Sequence, residues 1–417
     1  MKDNRIRRAM ALLLALAMCL CAPIAQAQEK MEATPGMASE ALPTEKAEVQ
    51  AEVRIEVETA GNSSVSYPVV SGLADESIQG RLNAAIETGL SLANARLLLE
   101  RVRAAGGEPE GQSTLTMETT VYRVGNVLSV AVSRTGEQAD GSIGHSVTAL
   151  VFDLMTGDPV ALDALFADPE AAYAHMEAVL QEELGESMNA YTDNASVLPM
   201  PRDNYALDAL GLTVYYAPSQ YTTVSGRAGA FHFYYYELEP YLSELGQALT
   251  AREEDGQDAA AAIREAVAQG AFPNWIEGVR IGEPIGAYLD AYTLAADPDY
   301  TLESRVYLFS EPQLRGLSLE TWLYAECAEE EAPVTAIRAS RIDLFGLRPG
   351  VTTLAECEQL LGTPDGRTLR DADDAYNMML EEGESLFYLS GGYSLEVHAD
   401  AQGVVSCLIL YDDARTA

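Results

Sequence analysis

Residues 127–166 read VLSVAVSRTGEQADGSIGHSVTALVFDLMTGDPVALDALF, and this stretch sets a two-stranded ribbon at the centre of the chain. Leu128, Val130 and Val132 alternate with Ser129, Ala131 and Ser133, the period of a strand with one buried face. A polar connection over residues 136–144 leads to a second strand at residues 146–154. Met155-Thr156-Gly157-Asp158 supplies turn chemistry, and Val160-Ala161-Leu162 runs into a short helical Asp163-Ala164-Leu165-Phe166. Two strands do not stand alone in water, so flanking segments must cover the ribbon. The class that follows is α+β: an antiparallel sheet with packed helices, followed by two small helix-plus-hairpin α+β units.

The flanks supply the cover. Upstream, Val53 to Glu58 alternates as a strand, Gly61-Asn62 turns, and residues 65–70 form a second strand. Asp75 then caps one long helix whose face carries Ile78, Leu82, Ile86, Leu90, Ala93 and Leu97. Residues 114–124 alternate again and enter the ribbon through Gly125-Asn126, a hairpin signal. Downstream, Asp168-Pro169-Glu170 opens a helix with a cap, a first-turn proline and an acid. Its apolar face is Tyr173, Met176, Leu180 and Leu184. Residues 212–216 and 231–236 are strands, in a region where eight tyrosines fall between Tyr205 and Tyr241. Tyrosine there fits half-buried strands; the alternative is a partner surface, where it offers large contact area at small entropic cost.

The formal charge is −38, from 26 basic and 64 acidic residues. Nucleic acid is excluded as a partner, since its phosphates are repelled and the sequence carries no basic stripe. Cationic proteins, metal ions or basic polymers are favoured electrostatically, and the plainer reading is that the acidity keeps a secreted protein soluble. An apolar content of 48% builds real cores, so the acidity is not that of a disordered tail. At the start, Lys2, Arg5, Arg7 and Arg8 precede an apolar run over residues 9–21, then Pro23 and an Ala25-Gln26-Ala27 cleavage pattern. These features read as a signal peptide over residues 1–27, and the run is too short to span a bilayer. The expected location is therefore secreted. Lipid attachment at Cys19 is disfavoured because bulky Met18 stands where a small residue belongs. Removing residues 1–27, with four bases and one acid, takes the charge to −41.

Residues 28–50 form a leader without periodicity, 51–242 an α+β recognition domain, and 243–270 an acidic, alanine-rich junction. Two units follow, 271–340 and 341–417, as an internal repeat of a helix and an antiparallel hairpin. The hairpins are Thr321 to Glu326 with Val334 to Arg338, and Ser394 to Asp400 with Val404 to Ile409. The three cysteines beyond the leader make either one disulfide, for which Cys357 and Cys407 in one unit are the pair and Cys327 is left over, or three buried small hydrophobes.

Three elements together carry a resemblance: Val65-Ser66-Tyr67-Pro68-Val69-Val70-Ser71-Gly72-Leu73, then Phe152-Asp153-Leu154-Met155-Thr156-Gly157, then the strand pair through 212–216 and 231–236. Over about residues 51–242 the chain resembles the extracytoplasmic domain pair of a lysozyme-sensing anti-sigma factor, which also occurs beside the catalytic domain of peptidoglycan deacetylases. That family carries a Tyr-x-x-Gly-Gly-Ala-His-Gly-like loop, of which Asp140-Gly141-Ser142-Ile143-Gly144-His145-Ser146 keeps only part. The deacetylase's Asp-Asp-His metal set has no counterpart in this sequence. Residues 341–412 are similar to a small α+β module appended to secreted bacterial proteins, with Leu347 to Thr352 at its start and Leu361 to Pro364 at a helix end. The resemblance implies an envelope-facing recognition domain whose partner is a lysozyme-like basic protein or peptidoglycan.

Chemistry-bearing motifs point nowhere else. The four histidines, 145, 175, 232 and 398, show no metal-ligand spacing. Asp371, Asp373 and Asp374 begin like a calcium loop, but Ala375 stands at the next ligand position. No metal and no cofactor is expected. The expected binding surface is the loop 136–146 with the tyrosine-rich strands, namely Glu137, Asp140, His145, Tyr215, Tyr216, Tyr221, Tyr234 and Tyr236. The expectation is a non-enzymatic binding protein; the alternative is a cell-wall glycan-acting enzyme that uses exposed carboxylates.

Overall fold

The computed structural model describes residues 49–106, 114–137, 142–186, 199–218, 228–250, 258–272, 279–292, 294–295, 297–301, 303–309 and 314–412. The first sheet contains β1 (Glu52–Ala60), β2 (Ser63–Ser71), β3 (Thr114–Val124), β4 (Val127–Glu137) and β5 (Ile143–Asp153), in that order across the sheet. Two-residue turns join β1 to β2 and β3 to β4. Each begins on a glycine with positive φ, Gly61 at 57° and Gly125 at 52°, a conformation that costs glycine nothing. Between β2 and β3 lie α1 (Glu76–Gly89) and α2 (Leu92–Ala104). This helical crossover returns the chain to its starting end, so β2 and β3 run parallel while every other pair in the sheet is antiparallel.

The expected single long helix is two. Asp75 caps α1 by accepting from the Ser77 and Ile78 amides, but Ser91 sits in the left-handed region at φ 48° and ends the run. Past this corner the buried face becomes Leu92, Ala95, Leu99 and Val102, and the expected face residues Ala93 and Leu97 are exposed. The corner keeps both helices on the sheet: Leu82, Ile86, Leu90 and Leu99 share a core with Leu128, Val130, Val132 and Phe152. Each such side chain contributes roughly 1.5–3 kcal/mol when fully buried. Arg134 reaches from β4 to donate through Nη2 to the Leu90 carbonyl, satisfying an end group of α1. Burial pulls its guanidinium below the ordinary arginine value.

After the ribbon, the turn through Gly157 (φ 74°) leads to a single helical turn at Leu162–Leu165 and to α3 (Pro169–Glu186). Tyr173, Met176 and Leu180 of α3 are buried as expected. A three-stranded antiparallel sheet follows, from β6 (Tyr205–Leu207), β7 (Gly211–Pro218) and β8 (Ala228–Tyr234). One face, with Leu212, Val214, Phe231 and Phe233, closes a second core with α3. The Asn204 side chain ties this sheet to the first: Oδ1 accepts from the Ala149 amide and Nδ2 donates to the carbonyls of Val147 and Tyr215. Three short helices come next, α4 (Tyr235–Leu238), α5 (Glu244–Thr250) and α6 (Ala259–Ala268).

The remaining elements are α7 (Ile285–Ala291), β9 (Asp299–Tyr300), β10 (Ser304–Leu308), β11 (Leu317–Trp322), β12 (Val334–Ala339), α8 (Leu354–Leu361), β13 (Gly366–Arg370), α9 (Ala372–Asn377), β14 (Gly383–Ser390), β15 (Tyr393–Asp400) and β16 (Val405–Asp412). The hairpins of the two expected units share one antiparallel sheet, in the order β13-β14-β15-β16-β12-β11-β10-β9. Each hairpin would otherwise leave a strand edge unpaired, and β12 meets β16 from Ala336 opposite Tyr411 to Ala339 opposite Leu408. Helices α6, α7 and α8 cover one face through Ile263, Val267, Ile285, Leu354 and Leu361.

The expected Cys357–Cys407 disulfide does not form; both are free thiols. Cys357 packs from α8 into the core on the helix-covered face, whereas Cys407 lies on the other face with Ala336 and Ile409. The strand alternation of β16 places residue 407 opposite in sense to the core-facing Leu408 and Leu410. Burial pushes the Cys357 thiol up to about 11 and the Cys407 thiol up to about 12.

Candidate recognition surface

The β3–β4–β5 sheet has one face under α1 and α2; the other is covered by β6 and β7 at one end, where Val127, Ser129, Ala149 and Val151 are buried, and is more open at the opposite end. Residues directly opposite each other in neighbouring strands share a face. One row of the open face runs Glu118, Ser133, Val147; the next runs Thr116, Thr135, His145; the last runs Thr114, Glu137, Ile143. Glu118, Glu137 and Ile143 are exposed, and the rest of these three rows is half-buried. His145 Nε2 lies 3.0 Å from Ser133 Oγ, a diagonal contact that fixes the ring against the sheet. Glu137 and His145, expected from the sequence, thus fall on one face in neighbouring rows. Asp140 and Tyr221 lie outside the described residues.

The tyrosines are a correction. Tyr216 is buried, edge-on to Phe231 at 5.8 Å, with its hydroxyl 3.7 Å from Met200 Sδ. Tyr234 and Tyr236 stack at 5.8 Å and belong to the core of the C-terminal sheet. Tyr234 Oη donates to the Arg315 carbonyl at 3.0 Å, and the Arg348 guanidinium lies 6.0 Å from the Tyr236 ring. These rings therefore join the three-stranded sheet to the eight-stranded one, and no external partner reaches them. Arg341 pairs with Glu237 and Arg348 with Glu239 along the same junction. Tyr215 is half-buried, and burial first, then Asp208, pushes its phenol up to about 12.

A second constellation escaped the sequence reading. On the eight-stranded sheet, on the face away from α6, α7 and α8, Ser385 Oγ donates to Glu396 Oε1 at 2.7 Å and contacts His398 Nδ1 at 2.9 Å. Arg370 donates to the same Glu396 oxygen through Nε at 2.9 Å and Nη2 at 2.5 Å. Arg338 pairs with Glu320 at 2.8 Å and donates through Nη1 to the carbonyls of Met378 and Met379. Serine, histidine and glutamate together suggest nucleophilic chemistry, but the geometry opposes it. Ser385 and His398 are fully buried and Glu396 is 1% exposed. His398 Nε2 is 3.0 Å from the Glu381 carbonyl, so the histidine bridges serine to backbone and not to a substrate space. Burial holds the His398 imidazole below its ordinary value. The cluster fastens the segment through α9 onto the sheet. Its signal lay in β15, where Glu396 and His398 alternate with Leu395, Val397 and Ala399.

Among the described residues no group of histidine, cysteine and carboxylate side chains is placed to hold a metal ion. No helix among them is long and apolar enough to cross a membrane.

No protein-family profile matches the sequence, and no curated protein matches it. Among solved structures, a DUF3298 family member from Bacteroides fragilis is similar over 47% of this chain and 94% of its own, at 15% identity and TM-score 0.35. A DUF3298 family protein from Pseudomonas aeruginosa is similar over 50% of this chain and 100% of its own, at 13% identity and TM-score 0.35. A DUF4309 family protein from Bacillus subtilis is similar over 37% of this chain and 95% of its own, at 13% identity and TM-score 0.27.

Proposed function

We propose that this chain is a secreted, non-enzymatic recognition protein of a bacterial envelope, and that the open face of the β3–β4–β5 sheet takes a basic protein of the lysozyme kind. The observation that carries the reading is that face. It pairs two exposed carboxylates, Glu118 and Glu137, with the exposed apolar Ile143 and a floor of small hydroxyl side chains. Carboxylates steer a cation inward, while short polar residues leave room for close approach. The signal-peptide pattern over residues 1–27 and the resemblance over 51–242 to the lysozyme-sensing domain pair support the same reading.

Charge acts first on encounter, so its test is kinetic. Glu118→Lys with Glu137→Lys slows association with a cationic protein such as lysozyme several-fold at low salt and leaves the melting temperature within a degree or two, because both side chains are exposed. An unchanged association rate removes this face from the recognition reading.

A further inference from the structure

β1 pairs with β2 through all nine of its residues without a register shift. It stands at the end of its sheet, and among the described residues no strand lies beyond it. The one side-chain contact on its backbone among the described residues is Arg103 Nη2, which donates to the Thr59 carbonyl at 3.0 Å. Edge strands are ordinarily blunted by proline, bulges, brevity or charge; β1 has none of the first three, and of these devices only its charges, Glu52, Arg54, Glu56 and Glu58, remain. Its faces differ in character. Glu58 accepts from Tyr67 Oη and from Arg96 Nε, each at 2.9 Å, and shares its side of the strand with Arg54 and Glu56. On the other side Ile55 and Val57 are 43% and 61% exposed.

We propose that β1 pairs antiparallel with β1 of a second copy of this chain, joining two five-stranded sheets across a twofold axis. The strand EVRIEVETA is its own complement about Glu56. A register centred there sets each Ile55 opposite Val57, each Val53 opposite Thr59 and each Arg54 opposite Glu58 of the other copy. Only Glu56 meets its like, with the other copy's Arg54 on one diagonal and its Glu58 on the other, the latter already paired to Arg96. The neighbouring even registers are worse. Centring on Ile55 opposes Arg54 to Glu56 twice but also Glu52 to Glu58 twice, so attraction and repulsion offset; centring on Val57 opposes Glu56 to Glu58 twice and turns Arg54 toward Ala60, with no attractive pair. Charge thus selects one register of the three, and the exposed Ile55 and Val57 side chains cover each other in it.

Self-pairing is independent of the recognition reading and carries the opposite salt signature. Two copies of a chain with formal charge −38 repel, so added salt strengthens the dimer, whereas it weakens capture of a cation. The experiment is sedimentation velocity over a concentration series at about 0.05 M and 0.5 M salt. The expected result is a monomer–dimer equilibrium shifted toward dimer at high salt, with Val57→Lys weakening self-association about tenfold or more. Val57 is too exposed for that change to unfold the chain, and a thermal melt confirms it. Register is read by oxidation in a Cys327→Ser background, which removes the exposed native thiol. Glu56→Cys cross-links to itself, and Arg54→Cys cross-links to Glu58→Cys only when the two are mixed. A monomer at every concentration and salt overturns the proposal, as does a dimer indifferent to Val57→Lys or one that Glu56→Cys does not trap. Protection of the β1 amides by an extended cationic peptide, with the chain monomeric throughout, overturns it in favour of a foreign strand.

Discussion

Replacing Arg370 by leucine removes the cation from a carboxylate that has almost no access to water. Glu396 is 1% exposed, and the Arg370 side chain 11%. The substitution deletes two charge-assisted hydrogen bonds to Glu396, from Nε at 2.9 Å and Nη2 at 2.5 Å, and leaves the Ser385 hydroxyl at 2.7 Å. Hydrogen bonds to charged groups contribute roughly 1.5–3 kcal/mol each. Stripping one partner from a buried ion pair costs roughly 3–5 kcal/mol, which sets the expected loss for Arg370→Leu. Most of that loss is the stranded charge, not the worth of the pair. The double variant Arg370→Leu/Glu396→Leu therefore recovers most of it and lies within about 1.5 kcal/mol of the parent. Urea unfolding of the parent, both single variants and the double variant at pH 7 measures the cycle. A loss below about 1 kcal/mol for Arg370→Leu, or a double variant that costs the sum of the singles, refutes the claim that this network fastens the α9 segment.

Three further outcomes follow from the same structure. His232 and His398 are buried with imidazoles held below the ordinary value, by burial in each case; the unfolded chain then binds more protons, so stability is whole above about pH 6.5 and falls as pH drops, by up to about 1.4 kcal/mol per unit for each histidine. Denaturation between pH 7 and 5 reads this slope, which His232→Gln and His398→Gln flatten; an unaltered slope contradicts the assignment. A Cβ at Gly211 would stand 2.1 Å from the Phe233 carbonyl oxygen, so Gly211→Ala forces β7 from β8 and destabilises by about 2 kcal/mol or more in a melting experiment, against near-neutrality if the strands part freely. Thiol titration of the folded chain without residues 1–27, which removes Cys19 and Cys21, labels Cys327 alone, and Cys357 and Cys407 react only on unfolding; fewer than three reactive thiols in denaturant without reductant would restore a disulfide.

The ribbon was legible because its signals are local. Alternation through Leu128, Val130 and Val132, the Gly125-Asn126 turn and the Asp168-Pro169 helix start all depend on neighbours in sequence. The break at Ser91 was not, because its cause lies across the fold: a straight helix would have carried Ala93 and Leu97 inward, while the sheet needs Leu92 and Ala95 there. Gly89 is the one cue, and its reason is tertiary, since a Cβ would come within 2.8 Å of the Leu150 side chain.

The tyrosine-rich stretch was ambiguous on chemical grounds. A phenol is buried cheaply once its hydroxyl finds an acceptor, and Tyr205, Tyr234 and Tyr235 find the carbonyls of Val160, Arg315 and Asp208. Those acceptors are 27 to 81 residues away in sequence, beyond any local pattern. Pairing partners were hidden for the same reason: alternation shows that β12 and β16 are strands, but not that they meet. Of the expected site, Glu137 and His145 come together because the β4–β5 register brings them there.

The most direct measurement is equilibrium binding of the purified protein to a c-type lysozyme, at low salt and again at physiological salt. The account predicts an affinity that survives the added salt, inhibition of the lysozyme, and slower association, with affinity lowered several-fold, on Glu118→Lys with Glu137→Lys. Binding that vanishes with salt, where the Debye length falls to about 8 Å, would reduce the interaction to attraction between opposite charges. No binding at either salt would contradict the recognition of a lysozyme-like protein outright.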